Sequence, residues 1–151
     1  MKFQTRPLLY VVLASTLALG GCVRALLPTS AEELEIHSYR PKSVTVDQDF
    51  ISLYARLKSM HERCFRSMPP HTSYSTEGRL NRDGGVAYVT LFGSHGTIIH
   101  SIKIDRMTVN ESKISALLSK NKMINHNRSE ESINGSMLLF KVWADGSQNS
   151  C

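Results

Sequence analysis

This sequence predicts an α+β domain, with two helices packed on one face of a small antiparallel sheet of about four strands. Three observations lead there. An apolar stripe at i, i+3, i+4 spacing runs through residues 47–65, the period of a helix with one buried face. Three segments with strand-like composition follow over residues 73–105, separated by Gly-containing turns. A second helical pattern and a last apolar run then close the chain. The predicted order is α-β-β-β-α-β, and a chain of 151 residues carries one such domain, placed at residues 43–151.

Residues 22–42 read as a tether holding Pro28 and Pro41, with a possible helical turn over Ala31–Ile36. Ser43–Val46 reads as a short extended piece. The first helix spans Asp47–Phe65, with Asp47 as its N-cap and Phe50, Leu53, Tyr54, Leu57, Met60 or His61, and Cys64 on its stripe. Pro69-Pro70 ends any continuation. Ser73–Leu80 is polar and suits an edge strand. Asn81-Arg82-Asp83-Gly84-Gly85 is a turn, with Asp-Gly supplying the positive φ. Val86–Phe92 is apolar on both alternations, as a central strand should be. Gly93-Ser94-His95-Gly96 turns the chain into Thr97–Asp105, where Ile98, Ile102 and Ile104 share one face and the other face is expected to be wet. Thr108 and Glu111 form a capping box for a helix over Val109–Lys120, with Ile114, Leu117 and Leu118 along its edge. Residues 121–135 read as polar loop, with room for a short helical turn, and Ser136–Ala144 as the final strand.

The first 21 residues have the organisation of a secretory leader: Lys2 and Arg6, then an apolar run from Leu8 to Leu19, then small residues. The run is about a dozen residues, short of the roughly 20 that span a bilayer. Leu19-Gly20-Gly21-Cys22 resembles the lipobox of bacterial lipoproteins. The resemblance covers only residues 1–22. It implies cleavage before Cys22 and acylation of that cysteine, hence attachment to a membrane through covalent lipid. Val23 in place of an Asp resembles the outer-membrane class, so the periplasmic face of that membrane is the expected location.

Cleavage would remove Lys2 and Arg6 from the 18 basic side chains, leaving 16 against 13 acidic ones, a net +3 with His neutral. No dense basic cluster accompanies that weak bias, so a nucleic-acid partner is not expected. With Cys22 lipidated, Cys64 and Cys151 remain in an oxidising compartment, and a Cys64–Cys151 disulfide is expected. The competing arrangement is a buried free Cys64 and an unpartnered terminal Cys151.

No catalytic, cofactor or metal signature stands out. Histidines occur at 37, 61, 71, 95, 100 and 126, without the i, i+4 or short Cys/His spacing of a zinc site. His100, among isoleucines, reads as a core or boundary residue. Gly93-Ser94-His95-Gly96 lacks the strand-to-helix setting of a nucleophile elbow. Arg63, Arg66, Arg79, Arg82 and Arg106 are scattered and read as a solvated surface. The expected function is a small non-catalytic binding module, contacting another envelope protein or peptidoglycan through a sheet edge such as Ser73–Leu80. The alternatives are a structural lipoprotein without a discrete ligand and a cell-wall enzyme drawing on Glu77, Asp83 and Asp105.

Overall fold

The computed structural model describes residues 27–39, 41–66, 74–120, 130–146 and 151. The leader, Cys22 and Pro69-Pro70 lie outside them, as do the first part of the tether and residues 121–129. In chain order the elements are α1 (Ala31–Ile36), β1 (Lys42–Val46), α2 (Phe50–Arg66), β2 (Ser75–Asn81), β3 (Val86–Phe92), β4 (Ile98–Arg106), β5 (Ser112–Leu118) and α3 (Glu130–Asp145). The strands form one antiparallel sheet in the order β1-β5-β4-β3-β2. The α+β class holds, with two helices (α2 and α3) on one face. The described strands number five rather than four, and α1 covers part of the opposite face.

The main core lies between the sheet and α2 with α3. Phe50, Leu53, Leu57 and Met60 of α2 meet Ala87, Val89, Ile102, Ile104, Ile114 and Ala116 of the sheet, and Ile133, Phe140 and Trp143 of α3 close over them. The predicted stripe of α2 is the buried one. Its cap is Asp49 rather than Asp47: the Asp49 carboxylate accepts the Ser52 N–H at 2.7 Å. Those backbone and side-chain bonds to Ser52 hold the carboxyl below its ordinary range.

Two predicted elements exchange type. Residues 112–118, expected within a helix, form β5, paired with β4 on one side and β1 on the other. Ile114, Ala116 and Leu118 face the helices while Leu117 meets α1, so the strand is buried on both faces. A strand buried twice carries apolar residues on both alternations, and Ile114, Leu117 and Leu118 then coincide with helical spacing. Thr108 and Glu111 cap no helix. They form the β4–β5 turn, where Met107 N–H and Thr108 N–H both donate to the Glu111 carbonyl, at 3.0 and 3.1 Å. Conversely, residues 136–144, expected as a strand, belong to α3, whose buried residues Ile133, Phe140, Trp143 and Ala144 follow helical spacing.

Two local expectations also change. The positive φ of the β2–β3 turn is at Gly85 (64°), not Gly84. Ile98 does not share a face with Ile102 and Ile104. A register shift pairs Leu91 with His100 but Phe92 with Ile98, leaving Ile99 as the extra residue of a bulge. Ile98 is thereby turned to the opposite face, against Tyr88, Leu117, Ala31 and Leu34. That face is not simply wet, because α1 sits on it.

The packed body therefore begins before residue 43. Ser30 caps α1 by accepting the Glu33 N–H at 3.1 Å, while the Glu33 carboxylate accepts the Thr29 N–H at 2.8 Å. Glu35 of α1 accepts from Lys103 Nζ at 2.6 Å and from the Tyr88 hydroxyl at 3.2 Å. At the other end of the chain, the structure joins Cys64 to Cys151, with Cα atoms 5.2 Å apart and a sequence separation of 87.

Two outcomes follow. Leu34 is fully buried and Ile36 is 76% exposed. In denaturant unfolding, Leu34→Ala should cost about 2–3 kcal/mol and Ile36→Ala less than about 0.5 kcal/mol. Loop entropy for the Cys64–Cys151 link gives an upper figure of about 4.5 kcal/mol. Cys151→Ser should therefore lower the unfolding free energy by about 2–4 kcal/mol, and adding reductant to that variant should have little further effect.

Candidate functional site at the end of the long helix

The last turns of α2 cross the sheet where β2 begins. A groove of about 300 Å³ opens there, lined by Glu62, Phe65, Arg66, Tyr74, Ser75 and Thr76. A second depression of about 360 Å³ shares Glu62 and Arg66 and adds Ser59 and Arg63. The walls carry charge of both signs: Glu62 bonds Lys58 at 2.7 Å, an exposed i, i+4 pair, while the arginines stand at the C-terminal end of α2, where cations favour the helix dipole.

Beneath the groove lies a buried polar chain. The Thr76 hydroxyl, on the groove wall, is 2.7 Å from His61 Nδ1. His61 Nε2 is 2.9 Å from His100 Nε2. Aromatic rings enclose the pair. Phe65 lies 4.5 Å from His61 and 5.4 Å from His100, centroid to centroid. Phe140 lies 5.9 Å from His100, and Trp143 stands nearly perpendicular to His61 at 6.3 Å. His61 is fully buried. Loss of water pushes its pKa down to about 4, against a smaller upward pull from Glu62.

The geometry limits the proton inventory. Two Nε2 atoms at 2.9 Å share one proton, one ring donating and the other accepting. With both rings neutral, Thr76 completes the chain, because a hydroxyl either donates or accepts. One added proton makes His61 a double donor, to Thr76 and His100, but places a charge among aromatic rings. A proton on both Nε2 atoms would set two N–H groups against each other. The setting favours the uncharged form of His61.

The other residues singled out in the sequence are dispersed. Glu77 is exposed on β2 and Asp83 is exposed in the β2–β3 turn. Asp105 is half-buried, 3.3 Å from Lys103 Nζ. None of the three lines the grooves described above. Arg79 pairs with Glu32 at 2.8 Å, and Arg106 stacks over Phe50. Ser94–Gly96 forms one turn of 3-10 helix between β3 and β4. Among the described residues, no three His, Cys, Asp or Glu side chains are grouped to hold a metal ion, and no helix is long and apolar enough to cross a membrane. The feature that sequence reasoning missed is the His61–His100 pair. Its only signal was that each histidine sat on an apolar stripe, which weighs them singly. Their meeting across 39 residues depends on where α2 lies on β4.

No protein-family model matches the chain, and no curated protein matches it.

Because the folded pKa of His61 lies below the ordinary value of 6.5, the unfolded chain binds the extra proton first. Its contribution is complete above about pH 6.5 and is lost as the pH falls toward 4. The shift corresponds to about 3 kcal/mol. Urea unfolding should show a falling midpoint across that window. His61→Gln, which keeps a polar partner for Thr76, should flatten most of the slope. An unchanged slope in that variant would remove His61 as its source.

Proposed function

We propose that this chain is a lipid-anchored protein of the bacterial envelope whose α+β domain is a binding module, contacting its partner through the outer edge of β2. The leader and the lipobox-like Leu19-Gly20-Gly21-Cys22 support the anchor. The observation that carries the contact surface is the position of β2. It is the last strand of the sheet, paired only with β3 among the described strands, so its other edge presents backbone N–H and C=O groups in a row. Edges of this kind accept a further strand, with side-chain pockets setting the choice of partner. The groove beside Ser75 and Thr76 lies at the start of that edge. Another envelope protein or a peptidoglycan-bound peptide fits such a surface.

A photo-crosslinking residue at position 77, in living cells, tests this reading. The same residue at exposed position 141 on α3 is the control. Position 77 should capture one dominant species that position 141 does not, and Cys22→Ser should reduce its yield. The same diffuse set of abundant proteins from both positions would overturn the proposal.

A further inference from the structure

We propose that the partner at the β2 edge is a second copy of this chain, joined by antiparallel pairing of β2 with β2 about Gly78. The inference rests on β2 being the interaction edge and names what it accepts.

β2 is Ser75-Thr76-Glu77-Gly78-Arg79-Leu80-Asn81, seven residues centred on Gly78. Antiparallel pairing about that centre sets Glu77 opposite the partner's Arg79, and Arg79 opposite the partner's Glu77. It also sets Ser75 opposite the partner's Asn81, and Thr76 opposite the partner's Leu80. Two ion pairs and two polar pairs form at once, and opposite charges directly across a strand pair are favourable. Sliding by two residues in one direction sets Glu77 against Glu77; sliding in the other sets Arg79 against Arg79. Both place like charges face to face. A one-residue slip mixes the two faces of the strands. The charge pattern therefore selects one register and penalises its neighbours.

The surroundings agree. Glu77 and Arg79 point to the face opposite α2, being in register with Thr90 and Tyr88 of β3. The ion pair of Arg79 with Glu32 is largely exposed, so it leaves the guanidinium open to a second carboxylate. Gly78 has its own reason to be glycine: a Cβ there would run into the Tyr54 hydroxyl and the Lys58 side chain of α2. The helix thus lies close over the middle of β2 and fixes the strand beneath it. The opposite edge differs. β1 has Lys42 at its start with Pro41 before it, features that discourage pairing, and it has no charge of the other sign within the strand.

The test is sedimentation equilibrium of the full chain in mild detergent over a concentration series. Wild type should show a monomer–dimer equilibrium. Glu77→Arg and Arg79→Glu should each weaken it by about tenfold or more, since both ion pairs become repulsive. Mixing the two variants should restore association, because every cross-strand pair is then complementary. At a concentration low enough for wild type to be monomeric, unfolding midpoints of the Glu77→Arg chain should match wild type, as Glu77 is exposed. A wild type that stays monomeric, a Glu77→Arg chain that dimerises as well as wild type, or a mixture that stays apart would each overturn the homotypic pairing. Capture of a different protein from position 77 in cells would also overturn it while upholding the β2 edge as a binding surface. The same diffuse set of proteins at positions 77 and 141, with a wild type that stays monomeric, would sink the two readings together.

Discussion

The inner strands β3, β4 and β5 are shielded from water over most of both faces, so polar atoms on them must find partners within the protein. Thr90 and Ser101 answer this on the α1 side by bonding each other at 2.8 Å. Ser43 and Ser115 do the same at 2.8 Å between β1 and β5. On the helix side, His100 is the polar residue of β4 that faces the main core, and it is met by His61 from α2. Lys103, between α1 and the sheet, is held by Glu35 and Asp105. The seating of α1 and α2 is thus tied to satisfying the polar groups of a sheet that is dry over most of both faces.

The bulge at Ile99 decides how that requirement is divided. Without it, Ile98 would join Ile102 and Ile104 under α2 and α3, and α1 would lose one of the apolar residues it covers. With it, Ile98 turns to α1 while His100 keeps its place against Leu91 and beneath Phe65. One inserted residue both supplies the floor for α1 and preserves the site for the histidine pair.

Much of this was legible in the sequence, and the failures have a common origin. α2, β3 and the polar edge strand β2 could be read because each has one dominant pattern. β5 and α3 exchanged identity because both are rich in apolar residues on more than one side. In Ser-Lys-Ile-Ser-Ala-Leu-Leu, burial on two faces imitates helical spacing. In Ser-Met-Leu-Leu-Phe-Lys-Val-Trp-Ala, Leu138 is 65% exposed although it follows Met137 in an unbroken apolar run, so the run overstates what is buried. Local capping signals failed for the same reason: Thr108 and Glu111 suit either a helix start or a tight turn, and pairing of β5 on both sides favours the turn. The candidate site was less visible still. The expected Cys64–Cys151 pairing followed from setting Cys22 aside for lipid in an oxidising compartment, whereas the histidine pair needed the crossing of α2 over β4.

That crossing also links the buried pair to the surface. Thr76 belongs at once to the edge strand, to the groove wall and to the hydrogen-bond chain through His61. Strand β2 is otherwise held by pairing on one side and by α2 above it, the weaker position in any sheet. The disulfide fixes Cys64 one turn beyond His61, so the end of α2 that carries the histidine is tied covalently to the chain terminus. A neutral pair keeps Thr76, and with it the start of β2, drawn against the helix. The dry aromatic setting that makes the pair tolerable in the core thus also anchors the start of the edge strand, through the Thr76 hydroxyl that ends the chain.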